Sequence, residues 1–204
     1  MGVKQTRLAN EYYIFDNGVN GMLIENGDYT VNICRDEAFT VGSTDNKLYD
    51  TIFNPCNMER SDYYKVLSIC IDGNDNHKCI ALIGSMFGAD ENIAVLEGHN
   101  LIVLMNTTLT VIDCSVLTIK YCQNISNGGT YFAIQKFDDG YIVYGELDIL
   151  KLSTEYETMW LFSGADIFVT QDGSNPFYVD NNIIYLTDWN GTKYIVDKFG
   201  NEIS

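Results

Sequence analysis

Apolar and polar positions along this chain alternate in short runs, and each run ends in residues that turn a backbone. The stretch from Asn100 to Tyr121, NLIVLMNTTLTVIDCSVLTIKY, shows the pattern most completely, with breaks at Asn106-Thr107-Thr108 and Cys114-Ser115. β-Branched and aliphatic residues suit a pleated, half-buried surface. Asn, Thr, Asp and Ser hydrogen-bond their own backbone and favour turns. The stretch therefore predicts a three-stranded meander.

The same reading extends in both directions. Tyr12 to Phe15, Met22 to Glu25 and Tyr29 to Cys34 are predicted strands, separated by Asp16-Asn17-Gly18 and Asn26-Gly27-Asp28. Asn-Gly between apolar runs is the strongest short hairpin signal a sequence carries. From Thr44 to Phe53, the spacing of Leu48, Ile52 and Phe53 behind a Thr44 or Asp45 cap predicts one short helix. Asn54-Pro55-Cys56-Asn57 then breaks the chain, so that within one all-β domain over 1–204 a subdomain boundary is expected near 54–62. Tyr63 to Ile71 and Lys78 to Ser85 are strands around Asp72-Gly73-Asn74-Asp75-Asn76-His77. The alternating oxygen ligands of that loop imitate a calcium loop, but His77 stands where glycine is needed and Ile83 where glutamate is, so it reads as a polar hairpin turn. Gly84 to Asn92 is a polar connector, followed by a strand from Ile93 to Glu97. Beyond the meander, Tyr131 to Phe137, Tyr141 to Gly145, Leu147 to Leu152, Thr158 to Phe162, Ile167 to Val169, Asn182 to Thr187 and Lys193 to Val196 continue as strands.

Three of these units align with one another. Ile102-Val103-Leu104 leads to Val111-Ile112-Asp113, Ile142-Val143-Tyr144 to Ile149-Leu150-Lys151, and Ile184-Tyr185-Leu186 to Ile195-Val196-Asp197, at offsets of 40 and 42 residues. Weaker echoes at Lys65-Val66-Leu67 and Met22-Leu23-Ile24 would extend the series to five units. A strand, a turn and a second strand repeated at about 40 to 50 residues is the spacing of propeller blades. Residues 93 to 204 thus resemble generic β-propeller blades, without a recurring Gly-His…Trp-Asp or double-glycine signature. The expected fold is all-β, a propeller-like array of short antiparallel meanders, with a β-sandwich as the alternative.

Composition narrows the function classes. Lys and Arg number 12 against 28 Asp and Glu, a net charge of −16, which repels phosphate backbones and anionic lipid and attracts basic proteins. Neither nucleic acid nor a membrane is an expected partner; a basic protein is one reading of the charge, and a solvated acidic surface that maintains solubility is the commoner one. The six cysteines, at 34, 56, 70, 79, 114 and 122, contain no Cys-x-x-Cys pair, so no zinc ribbon or thioredoxin-type motif is spelled and no metal is expected. Cys34, Cys70, Cys79 and Cys122 fall in apolar strand runs, and no secretory signal precedes them. This predicts reduced thiols and a cytoplasmic protein. Met1-Gly2 with Thr6 matches the N-myristoylation pattern loosely. Asn106, Asn124 and Asn190 spell glycosylation sequons but serve here as turn residues.

Candidate chemistry is sparse. His77 and His99 lie in Asn-rich turn contexts, no Gly-x-Ser-x-Gly elbow occurs, and no strand leads into a phosphate-cradling glycine loop, so neither nucleophilic catalysis nor a cofactor is expected. Glu146 and Asp148 are read as one strand face about 6.6 Å apart, a spacing compatible with glycoside hydrolysis, although alternating acids are commonly a strand's solvated side. Trp160 falls in an apolar run and reads as core. Trp189, in Thr187-Asp188-Trp189-Asn190-Gly191, reads as exposed and, with Tyr141, Tyr144, Tyr185 and Tyr194, as a stacking or docking surface. Asp166 reads as a turn anchor or a ligand contact. Trp189, Tyr144, Glu146, Asp148 and Asp166 are the candidate binding residues. The expected function is a non-catalytic interaction protein, in one form an acidic inhibitor or immunity-type protein; the alternative is a carbohydrate-binding or glycoside-processing protein.

Overall fold

The structure, a computed structural model, describes residues 11–14, 20–59, 64–73, 76–86 and 92–203, and no helix occurs among them. The strands in chain order are β1 (Glu11–Ile14), β2 (Asn20–Glu25), β3 (Tyr29–Arg35), β4 (Thr51–Phe53), β5 (Tyr64–Gly73), β6 (Asn76–Ser85), β7 (Ala94–Glu97), β8 (Asn100–Met105) and β9 (Thr108–Asp113). There follow β10 (Thr118–Asn124), β11 (Tyr131–Phe137), β12 (Gly140–Gly145), β13 (Asp148–Leu152), β14 (Thr158–Ser163), β15 (Phe177–Asp180), β16 (Ile183–Thr187) and β17 (Lys193–Val196). The chain divides into two compact units, one within Leu8–Asn124 and one within Ile125–Ser204. Residues 54–62 are internal to the first.

In the first unit, β1-β2-β3-β5-β6-β4 form a six-stranded sheet and β10-β9-β8-β7 a four-stranded meander. The β2–β3 turn forms at the Asn-Gly signal: Gly27 takes φ 90°. The Asn26 carboxamide oxygen accepts from the amides of Asp28 (3.1 Å) and Tyr29 (3.0 Å). One face of the larger sheet presents Val31, Ile33, Ile69, Ile71, Ile80 and Leu82 to a core shared with Leu101, Val103 and Ile112. Each such side chain contributes about 1.5–3 kcal/mol by leaving water. Its reverse face carries Val66, Ala81 and Ile83 under Phe39, Tyr49 and Met58, so the segment between β3 and β5 covers it.

In the second unit, β11-β12-β13-β14 and β15-β16-β17 are antiparallel meanders in sequence order. All three aligned repeats are hairpins of such meanders: β8–β9, β12–β13 and β16–β17. The fold is all-β, built from several small antiparallel sheets in a propeller-like series. The two weaker echoes fall in β2 and β5, both in the six-stranded sheet, so the described strands make four sheets and not five.

A five-residue loop recurs in this unit. In Asp188–Thr192, one Asp188 oxygen accepts from the amides of Asn190 (3.0 Å) and Thr192 (2.8 Å). The backbone adds Asp188 N–H to the Thr192 carbonyl and Gly191 N–H to the Asp188 carbonyl, both at 3.0 Å. Asp197–Asn201 repeats these bonds through Asp197, and Ser153–Glu157 repeats them through the Ser153 hydroxyl. The fourth position is left-handed each time: Gly191, Gly200 and Tyr156 have φ 81°, 84° and 67°. Glycine suits that conformation without steric cost. Trp160, half-buried, packs over Gly200 and donates its indole N–H to the Lys198 carbonyl at 3.1 Å.

Four expectations are corrected. Ile167 to Val169 forms no strand, and no strand lies between β14 and β15. The helix over 44–53 is absent. Leu48 is 93% exposed and Ile52 53%, so their helical spacing buries nothing. Thr51–Phe53 instead adds a parallel strand to β6, where Phe53 packs against the core. The cysteines are not all reduced, because Cys70 and Cys79 face each other across β5 and β6 and are disulfide-bonded. Cys34, Cys56, Cys114 and Cys122 carry thiols. Glu146 and Asp148 do not share a strand, since Glu146 lies in the turn before β13. The polar hairpin between β5 and β6 is present and closes on Gly73 opposite Asn76. Its Asn74-Asp75 tip, Asp16-Asn17-Gly18, the Met1-Gly2 pattern, residues 87–91 and residues 60–62 lie outside the described residues.

Candidate functional site

Four of the five candidate residues converge on the segment 164–171 that follows β14. Phe168, fully buried, anchors it against Phe162 (ring centroids 6.4 Å) and Tyr194 (5.9 Å). The Phe168 amide donates to the Glu146 carbonyl at 2.7 Å, and its carbonyl accepts from the Tyr144 hydroxyl. The Trp189 amide donates to the Ile167 carbonyl at 2.8 Å. Asp166 accepts from its neighbour, the Ile167 amide, at 2.8 Å and from the Asn190 carboxamide at 2.7 Å. The Gln171 carboxamide donates to the Trp189 carbonyl at 2.9 Å. Three turns are thereby locked side by side.

Asp188 is the fixing point, and sequence reading missed it. It is 1% exposed; beyond the two loop amides it accepts the Tyr194 hydroxyl at 2.8 Å, and that hydroxyl accepts the Ala165 amide at 2.9 Å. Burial is the largest influence on its carboxyl and pushes its pKa up. The hydrogen bonds from Tyr194, Thr192 and Asn190 together outweigh it, so the net shift is downward and the residue stays ionised. The signal that could have found it is the Asp-x-x-Gly spelling repeated at 188 and 197.

Trp189 therefore sits on a hydrogen-bonded turn, 42% exposed. Its bonds to Ile167 and Gln171 are made by its backbone, so they survive truncation of the side chain. Trp189→Ala is expected to cost about 1–2 kcal/mol for its partly covered surface, whereas removing a fully buried indole costs roughly 3–5 kcal/mol. Paired urea melts check this, and a loss in the higher range would return the indole to the core.

The other candidates have structural places. Tyr144 is buried and stacked on Phe177 with centroids 4.8 Å apart, so its ring serves the core. Asp148 is 4% exposed, because all five residues of β13 are buried and the strand has no solvated face. Neither its Oδ1 nor the neighbouring Tyr131 hydroxyl has a partner of hydrogen-bond geometry. Burial pushes the Asp148 pKa up, against a smaller lowering from Tyr131. A carboxyl raised in the folded state contributes stability that is full below its unfolded pKa of about 3.9 and is lost as pH rises through the folded value. Wild type is thus expected to lose stability relative to Asp148→Asn between about pH 4 and pH 7. Denaturant melts at both pH values test this, and an unchanged difference between the two proteins would contradict it.

In the first unit, a cleft of about 610 Å³ opens between Asp36, Phe39, Asn54, Met58 and Lys65. It contains none of the candidate residues. No helix among the described residues is long and apolar enough to cross a membrane.

No protein-family model matches the chain. No curated protein matches it either. Among solved structures, it is similar to BamB from Moraxella catarrhalis at 8% identity and a TM-score of 0.46, covering 98% of this chain. The chain spans 62% of that protein's length, and no functional reading rests on the likeness.

Proposed function

We propose that this chain is a non-catalytic binding protein that takes a basic protein partner through the surface around Trp189. The observation that carries the reading is a tryptophan 42% exposed on a turn fixed by hydrogen bonds to Asp188 and Gln171. Tryptophan is enriched among interface hot spots, and a preorganised turn pays little ordering entropy on binding. The net charge of −16, with Asp166 and Glu146 in the adjoining turns, favours encounter with a positively charged surface. An acidic inhibitor or immunity-type protein is one concrete form. Glycoside chemistry loses its support, because Asp148 is enclosed and Glu146 belongs to a different element.

Immobilised wild-type chain and Trp189→Ala, exposed in parallel to an extract of the source cells, test the proposal. A basic protein retained by wild type, released by moderate salt and absent from the variant is the expected result. Equal retention by both proteins would overturn it.

A further inference from the structure

From the paired strands β5 and β6, we infer that the Cys70–Cys79 pair is a redox-gated site for a soft metal cation, Zn²⁺ or Cu⁺, with His77 as third ligand. Antiparallel register places Cys70 opposite Cys79 and Asp72 opposite His77. Alternation then puts all four side chains on one face of the hairpin. The Cys70 and Cys79 sulfurs and a ring nitrogen of His77 lie within 4.8 Å of one another. The His77 Nε2 stands 3.4 Å from the Cys79 sulfur.

The second ring nitrogen is already engaged. His77 Nδ1 is 2.6 Å from an Asp72 carboxylate oxygen. A carboxylate that accepts a hydrogen bond from Nδ1–H fixes the tautomer with its lone pair on Nε2, 3.4 Å from the Cys79 sulfur. Asp72 is in this sense a positioning residue. The Lys47 ammonium is 3.3 Å from the Cys70 sulfur, and the backbone of Cys79 is fixed by its amide donating to Asp50 at 2.9 Å. His77 is 64% exposed at its side chain, so an ion reaches the site from solvent.

In the oxidised chain the disulfide leaves neither sulfur as the thiolate that ligates a metal. A small dithiol supplies two electrons and two protons, leaves as its own disulfide, and converts Cys70 and Cys79 to thiols. Each thiol surrenders its proton as it coordinates, so one divalent ion displaces two protons. Two thiolates and an imidazole select Zn²⁺ or Cu⁺ over Mg²⁺ or Ca²⁺. For a tetrahedral ion they leave one position open to solvent.

Cobalt(II) is the probe, added to the full-length chain before and after dithiol reduction and desalting. The expected result is one equivalent bound only after reduction, with a thiolate-to-cobalt charge-transfer band that the Cys70→Ser/Cys79→Ser variant lacks. His77→Ala should weaken binding further than Asp72→Asn, whose loss should be about 10- to 100-fold. A band that persists in the double serine variant, no band in the reduced wild type, or wild-type affinity in His77→Ala would overturn the assignment. Should circular dichroism show the double variant unfolded, His77→Ala decides, since its exposed side chain leaves the core untouched.

Discussion

Asp188→Ala is expected to lower the stability of the protein by roughly 3–5 kcal/mol, because one buried carboxylate serves three donors at once and each orphaned partner costs about 1–3 kcal/mol. The Asn190 and Thr192 amides lose their acceptor, and so does the Tyr194 hydroxyl that also holds the Ala165 amide. The loss propagates from a turn to the segment 164–171. Its pH dependence has a definite sign. The folded pKa lies below the ordinary carboxylate value, so the contribution is present above about pH 4 and fades as acid titrates the group. Urea melts at neutral pH give the magnitude, and a cost under about 1 kcal/mol would show that the turn is held by other means.

Lys151→Ala should have an effect of similar size for a different reason. The side chain is 2% exposed, its ammonium donates to the Phe137 carbonyl, pairs with Asp139 at 3.2 Å and lies 5.0 Å from the Phe137 ring centroid. Asp139 itself is largely in solvent, and its carboxyl is held below the ordinary pKa first by the Lys151 hydrogen bond. Truncation to alanine removes a long buried stem and strips a carbonyl of its donor, for an expected loss of about 3–5 kcal/mol. Lys151→Met keeps most of the volume and should cost about 1–3 kcal/mol. The ordering of the two variants in denaturant melts is the check. Equal losses would mean that the charge, and not the packing, is what the site requires.

The meanders were legible in the sequence because their information is local. Strand runs and turn residues alternate within a few positions, and the hairpins at 102–113, 142–151 and 184–197 follow from that alternation alone. Burial was harder to read. Asp148 was assigned to a solvated face on the assumption that one side of its strand meets water, yet β13 is covered on both sides. Leu48 and Ile52 had helical spacing but no neighbouring surface to bury against. The Cys70–Cys79 bond is a different kind of miss: both positions are equidistant from the Asn74-Asp75 tip, so hairpin symmetry alone pairs them. Trp189 was legible as an exposed turn residue. The role of Asp188 beneath it depends on Tyr194, across the same hairpin, and through it on Ala165, which fold topology brings from an earlier segment.

Affinity for the captured basic partner, measured by titration calorimetry for wild type and Trp189→Ala at two ionic strengths, tests the proposed function most directly. Wild type should bind more weakly as salt rises, and the variant should lose at least about 30-fold, the equivalent of 2 kcal/mol for an interface hot spot, while remaining folded. Equal affinities in a folded variant would contradict the account.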